Sequence, residues 1–229
     1  MTIKWVEVTN ENLSYFEAVM KLYDQAFPIE VREHHSIFHR SLTYAKMINQ
    51  NNFHFLVGLI GDDLVSFATA HYFAEINSGF IVYIVTNPQQ QNNGVGTKTL
   101  AKIEDLLKAD AIHAGNSSIR AIFLETETEE MAHTEEEKKE CINRNRFFSR
   151  NHYENYEQIT YLQPPLHEGM EDFNLNLFIK NLSSTKNSKE DIKKAIKTIY
   201  KEKYLLVNEI DKEILNKALK KMGIEDELL

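Results

Sequence analysis

The sequence predicts an α/β (α+β) protein, a mixed central sheet of about seven strands flanked by helices and followed by a C-terminal helical hairpin. Three observations point there. Short apolar, β-prone runs recur through the first 85 residues and again after residue 119, separated by polar turns. Residues 80–124 read as strand, glycine-bearing loop, amphipathic helix and strand, a unit that joins parallel strands through a right-handed crossover. Past the linker-like Ser-Ser-Thr-Lys-Asn at 183–187, the pattern changes to two capped stretches of helical periodicity. The implied organisation is a main domain over 1–182 and a C-terminal extension over 183–229.

In order along the chain, 3–8 alternates as a first strand. Asn12 or Ser14 can cap a helix to Phe27, with Phe16, Val19, Met20, Leu22, Tyr23 and Ala26 on its apolar side, and Phe27-Pro28 ends it. A more polar helix is expected over 31–46 and a turn over 49–52. Strands at 53–60 and 64–73 flank a hairpin turn at Gly61-Asp62-Asp63, and Asn77-Ser78-Gly79 turns the chain into Phe80–Val85, its most β-prone run. A helix is expected from Thr97 to about Asp110 and a strand over 119–124. Thr134 and Glu137 have capping-box spacing for a helix that starts acidic and ends with Arg144, Arg146 and Arg150, as the helix dipole prefers. Residues 153–162 and 173–180 read as closing strands. In the extension, Ser188 with Asp191 opens one helix, and a second is capped near Asn208 and stops at Gly223.

Composition excludes several classes. The chain has 229 residues, 42% apolar and 26% charged, with 13 Phe and 10 Tyr, enough for a core and too few residues for two large domains. With 34 acidic against 26 basic residues the charge is −8, so a phosphate-tracking, nucleic-acid-binding face is not expected. Eleven Lys lie beyond residue 180, which leaves the rest strongly acidic; a solvated surface accounts for that most simply. A single cysteine, Cys141, forms no internal disulfide and reads as a packing residue. No apolar run approaches 18 residues and residues 1–8 lack a signal-peptide core, so no membrane association and a cytoplasmic location are expected. His35 and His39 lie one helical turn apart, but no third or fourth ligand accompanies them and no metal is expected.

The loop Pro88-Gln89-Gln90-Gln91-Asn92-Asn93-Gly94-Val95-Gly96 stands between the strongest strand and an amphipathic helix. Glycines there let a ligand approach the backbone, and the helix offers unpaired N–H groups to an anion. It is no Walker A loop, since no Gly-Lys-Ser/Thr follows, and no dinucleotide fingerprint. It resembles the Gln/Arg-x-x-Gly-x-Gly/Ala signature of the GNAT superfamily of acyl-CoA-dependent N-acyltransferases, with Pro88, Gln91, Gly94 and Gly96 in the matching positions. Further likenesses follow in family order: Ala26-Phe27-Pro28 with Glu30 and Arg32; Ile122-Phe123-Leu124-Glu125; Arg146-Phe147-Phe148-Ser149-Arg150-Asn151-His152-Tyr153; and Tyr161-Leu162-Gln163-Pro164. The match spans roughly residues 3–180.

The resemblance implies a GNAT-like sheet splayed between its fourth and fifth strands. It implies acetyl-CoA as co-substrate, held by Gln91, Asn92, Asn93, Gly94, Val95, Gly96 and Thr97, with backbone N–H groups near Val85 and Thr86 as oxyanion donors. The reaction would be direct attack of a primary amine, from a small molecule or a peptide, on the thioester. Glu125, at the end of the fifth strand, is the candidate base, with Glu127 next; pairing of Glu125 with Arg144, Arg146 or Arg150 is the competing structural role. The family's thiolate-protonating Tyr is replaced by Phe148, which leaves water, Tyr83 or Tyr153 for that step, and the small residue of the late Gly-Phe pair is His152. Two other readings stand beside the enzyme: a non-catalytic CoA-binding or regulatory module, and a partner-binding protein acting through its C-terminal helices. A homodimer is compatible with the apolar stripes of the extension.

Overall fold

The computed structural model describes residues 2–47, 50–90, 93–225 and 228, and the chain divides into two units, residues 1–119 and 120–229. Among the described residues it forms eight strands and six α-helices, a mixed α/β architecture.

In the first unit, β1 (Lys4–Glu7), β2 (Asn52–Ile60), β3 (Asp63–Phe73) and β4 (Ser78–Thr86) form an antiparallel run in sequence order. Its register pairs Val6 with Val57, Leu56 with Ala68, and Phe67 with Val85. β2 and β3 are buried along nearly their whole length, which explains their continuous apolar runs. The helices are α1 (Phe16–Ala26), α2 (His35–Met47) and α3 (Val95–His113). Phe16, Val19, Met20 and Tyr23 of α1 join Phe38 of α2 and Phe55, Phe67 and Tyr83 of the sheet in one core. Tyr23 meets Tyr83 edge-on, with ring centroids 4.8 Å apart. On α3, Leu107 lies so near β4 that a Cβ on Gly79 would fall 2.6 Å from its Cδ1, so this glycine lets the helix approach the strand.

Local chemistry moves several boundaries from those expected. Neither Asn12 nor Ser14 caps α1, because the Ser14 hydroxyl donates to Asn12 Oδ1 and the position before the helix is Tyr15. Residues 29–31 form a 3₁₀ turn, so α2 begins at His35 rather than 31. The turn expected over 49–52 lies partly outside the described residues at Asn49, and Asn52 already belongs to β2.

His54 on β2 carries the strongest charge cluster of this unit. Its Nδ1 is 2.6 Å from Glu7 Oε1 and its Nε2 2.7 Å from Asp110 Oδ2, while Asn52 donates to the other Asp110 oxygen at 2.8 Å. Burial opposes the imidazolium charge, but the hydrogen bonds it donates to Asp110 and Glu7 outweigh burial and push His54 from 6.5 up to about 9. That difference is worth about 3 kcal/mol to folding. Because the folded value is the higher one, the contribution is complete below the unfolded value and disappears as pH rises through the folded one. Urea unfolding at about pH 6 and about pH 9.5 is therefore expected to show the wild type losing far more stability with rising pH than His54→Gln. Equal losses would remove His54 from the account.

In the second unit β8 (Phe173–Asn181) is central. It pairs antiparallel with β5 (Ala121–Glu127), with β6 (Glu154–Asn155) and with β7 (Leu162–Gln163). The closing strand expected over 153–162 is thus two short strands; the polar Glu157-Gln158 turn interrupts it, and each piece pairs with a different part of β8. α4 (Glu135–Arg150) starts at the Thr134–Glu137 capping box. His152, just past its end, has φ +70°, a conformation glycine adopts more readily, in keeping with the family's small residue there.

The extension belongs to this second unit. α5 (Lys189–Ile199) opens on the Ser188–Asp191 capping box, runs into a π-helical turn over 200–205, and is followed by α6 (Lys212–Lys221). The cap of α6 is Asp211, not Asn208, whose Oδ1 accepts from Lys203 Nζ at 2.9 Å. The extension docks through specific bonds. Leu162 N–H donates to Met222 Sδ at 3.3 Å, Arg120 pairs with Asp191 at 2.7 Å, and Lys221 pairs with Asp172 at 2.6 Å. Among the described residues, no helix is long and apolar enough to cross a membrane.

Candidate functional site

Two places hold the residues singled out by the sequence, one in each unit. In the first, Val85 and Thr86 end β4, and Asn87 anchors the turn that follows. Asn87 N–H donates to Val65 O at 2.9 Å, its Nδ2 donates to Leu64 O at 3.1 Å, and its Oδ1 accepts from Gln89 N–H at 3.1 Å. Pro88–Gln90 forms a 3₁₀ turn; Gln91 and Asn92 lie outside the described residues. Asn93 and Gly94 are exposed, and Gly94 takes φ +73° with nothing within 4 Å of where a Cβ would stand. Substitution there is opposed by backbone conformation, not by lack of room.

α3 begins at Val95, two residues before the expected Thr97, so Gly96 lies within its first turn and positive φ belongs to Gly94 alone of the two glycines. Among the described residues, no side chain caps this helix, and no carboxylate occupies its first turn. Its leading N–H groups and positive dipole end are therefore available to an anion. Val95 is buried, Gly96 half-buried and Thr97 exposed. One turn on, the buried Thr99 hydroxyl bonds Ser66 Oγ at 2.7 Å and Val95 O at 2.9 Å, tying the helix start to β3. An anionic pyrophosphate fits these groups.

In the second unit Glu125 is half-buried on β5, which runs two residues beyond it. Its carboxylate accepts from side chains on both sides. Tyr161 O–H donates to Oε1, Gln163 Nε2 donates to Oε2 at 3.3 Å, and the Tyr204 hydroxyl lies 3.0 Å from both oxygens. Nearby, Tyr200 O–H donates to Leu162 O. Burial, then the Glu125 charge, pushes the Tyr161 phenol well above its usual range, and the same two causes act on Tyr200. Both phenols stay protonated and remain donors. Gln163 is 7% exposed, and its Oε1 has no hydrogen-bond partner among the described residues. A buried unsatisfied acceptor costs about 1–3 kcal/mol, so this atom calls for a donor.

Arg144 plays a different part from that weighed for it. Arg144 forms its ion pair with Glu127, the second candidate base. Cys141 donates its S–H to Glu127 O at 3.1 Å, and burial pushes its thiol up, as suits a packing residue. Phe148 is 3% exposed and packs against the rings of Phe147, Tyr153 and Phe178. Tyr83 donates to Val31 O at 2.9 Å within the core, and Lys180 lies over the ring of buried Tyr153. His35 and His39 serve separate contacts, the first 3.0 Å from Asp24 Oδ1 and the second stacked on Phe16.

Sequence reading named Glu125 but assigned nothing to Tyr161, Gln163 or Tyr204. The first two stand in a quoted motif and carried a usable signal. Tyr204 carried none, since it reads as one more apolar position of the extension.

Comparisons with known proteins bear on the fold. A family model described as the acetyltransferase (GNAT) family matches residues 16–133. The structure is similar to that of a GNAT-family protein from Bacteroides thetaiotaomicron, with 22% identity, a TM-score of 0.62, and 91% of this chain and 99% of that one covered. It is also similar to NAA60 from Arabidopsis thaliana, solved in complex with acetyl-CoA, at 13% identity and TM-score 0.54 over 79% of this chain and 99% of that one. A third likeness is to the ribosomal-protein-S18-alanine N-acetyltransferase of Escherichia coli, at 12% identity and TM-score 0.52 over 82% and 98%. These structures share the fold. A search of curated proteins found no match.

Proposed function

Because the chain belongs to the GNAT acetyltransferase family, we propose that it transfers an acetyl group from acetyl-CoA to a primary amine by direct attack. The reading rests on one observation: among the described residues, α3 begins without a side-chain cap or an early carboxylate, immediately after Gly94 in the left-handed region. When bound, acetyl-CoA supplies an acyl group activated as a thioester. Gly94, Val95, Gly96 and Thr97 offer backbone to its pyrophosphate, with Gln91, Asn92 and Asn93 completing the loop, and Val85 and Thr86 are the proposed oxyanion donors.

An alkylammonium with an ordinary pKa of about 10.4 is almost wholly protonated at neutral pH and cannot attack. Glu125 is the proposed base. Tyr161, Tyr204 and Gln163 fix its carboxylate without contributing a competing base. Phe148 has no proton to give, so the departing thiolate, at a thiol pKa near about 8.5, takes its proton from water.

Thermal-shift titration with acetyl-CoA tests the reading. The wild type is expected to be stabilised, and Gly96→Val, which keeps a helix-compatible backbone, to remain folded while losing at least about tenfold in affinity as its side chain fills the approach to the backbone. Wild-type affinity in folded Gly96→Val would refute this site.

A further inference from the structure

Gln163 turns one end of its amide toward Glu125 and leaves the other without a partner. Nε2 reaches Glu125 Oε2 at 3.3 Å, and Oε1 is buried and unsatisfied. Exchanging the two would set an acceptor against a carboxylate oxygen, so charge fixes this orientation. A carboxylate and the unsatisfied carbonyl oxygen of the amide bonded to it are thus neighbours, and both require N–H or O–H donors. The Tyr204 hydroxyl, 3.0 Å from each Glu125 oxygen, holds the position a nitrogen donating to that carboxylate would take.

Resting on the reading of Glu125 as the base, we propose that Gln163 binds the acceptor amine. An alkylammonium head group displaces the Tyr204 hydroxyl, donates one N–H to Glu125 and a second to Gln163 Oε1. A carboxylate alone selects for charge, whereas the pair selects for a nitrogen bearing several hydrogens. Primary amines are therefore accepted, and a quaternary ammonium, which leaves Oε1 unpaired, is rejected.

Binding can be read without turnover. Full-length protein, with and without CoA, is titrated with propylammonium chloride and with tetramethylammonium chloride while the Gln163 side-chain amide signals are followed by NMR. Propylammonium is expected to shift them along a saturable curve and tetramethylammonium to leave them unmoved. Gln163→Met, of similar length without the amide, is expected to weaken propylammonium binding at least about tenfold with acetyl-CoA affinity unchanged. Equal responses to the two cations, wild-type propylammonium binding in Gln163→Met, or no saturable response in the presence of CoA would each overturn the proposal. Retained acetyl-CoA affinity in Gly96→Val, or retained turnover in Glu125→Gln, would instead count against the proposed reaction and leave the amine site standing.

Discussion

Glu125→Gln is expected to lower acetyl transfer by about 10²–10⁴-fold, the usual worth of general-base catalysis, while leaving acetyl-CoA affinity and melting temperature near those of the wild type. The reason for intact folding lies in the side chains around it. The new amide oxygen can still accept from Tyr161 and Tyr204. Its NH₂ would face the Gln163 amide donor, but Gln163 can turn over and present Oε1, the atom that lacks a partner in the wild type. One hydrogen-bond arrangement replaces another, and the basic group is lost. Turnover of the variant across neutral to alkaline pH, with CoA affinity measured beside it, is the decisive assay; wild-type rates would assign proton removal to another group.

Truncation after Asn181 is expected to cost the second unit its cooperative fold. Ile192, Ile196, Ile199, Tyr200, Tyr204, Leu215 and Leu219 are each no more than 2% exposed. Burial of a large apolar side chain is worth roughly 1.5–3 kcal/mol, so even half of the total, with the rest internal to the extension, approaches the stability of a typical domain. The cut also removes the Tyr204 donor to Glu125 and the Arg120–Asp191 ion pair. Calorimetry of the shortened chain should show a transition lost or broadened, with acetyl transfer abolished. Unchanged melting and activity would make the extension an independent appendage.

How far the sequence carried these conclusions depends on the range of the interactions involved. Elements set by local patterning were legible: the hairpin at Gly61, the Phe80–Val85 strand, and both capping boxes, whose two partners lie three residues apart. Gly94 was legible as a turn residue of positive φ because its conformation is a property of one residue. The split of 153–162 into two strands was not, since it depends on which part of β8 each piece meets. His54 gave no signal, as its partners Glu7 and Asp110 lie 47 and 56 residues away. Glu125 could be named from its place on a strand, but the Tyr204 that holds it is 79 residues distant. Within its own helix, Tyr204 has the periodicity of any core residue.

The π-helical turn over 200–205 sets a tolerance of a different kind. Its wide bonds, Leu206 N–H to Lys201 O and Asn208 N–H to Lys203 O, each span five residues instead of four. Deleting one residue from α5, ahead of this turn, would swing everything downstream by about 100° and draw it back by about 1.5 Å. Val207, Leu215 and Leu219 would then face away from the surface they fill, and Tyr204 would lose its place beside Glu125. Conservative substitutions in this segment change one contact at a time. A single-codon insertion or deletion changes all of them, so the segment is constrained in length more tightly than in composition.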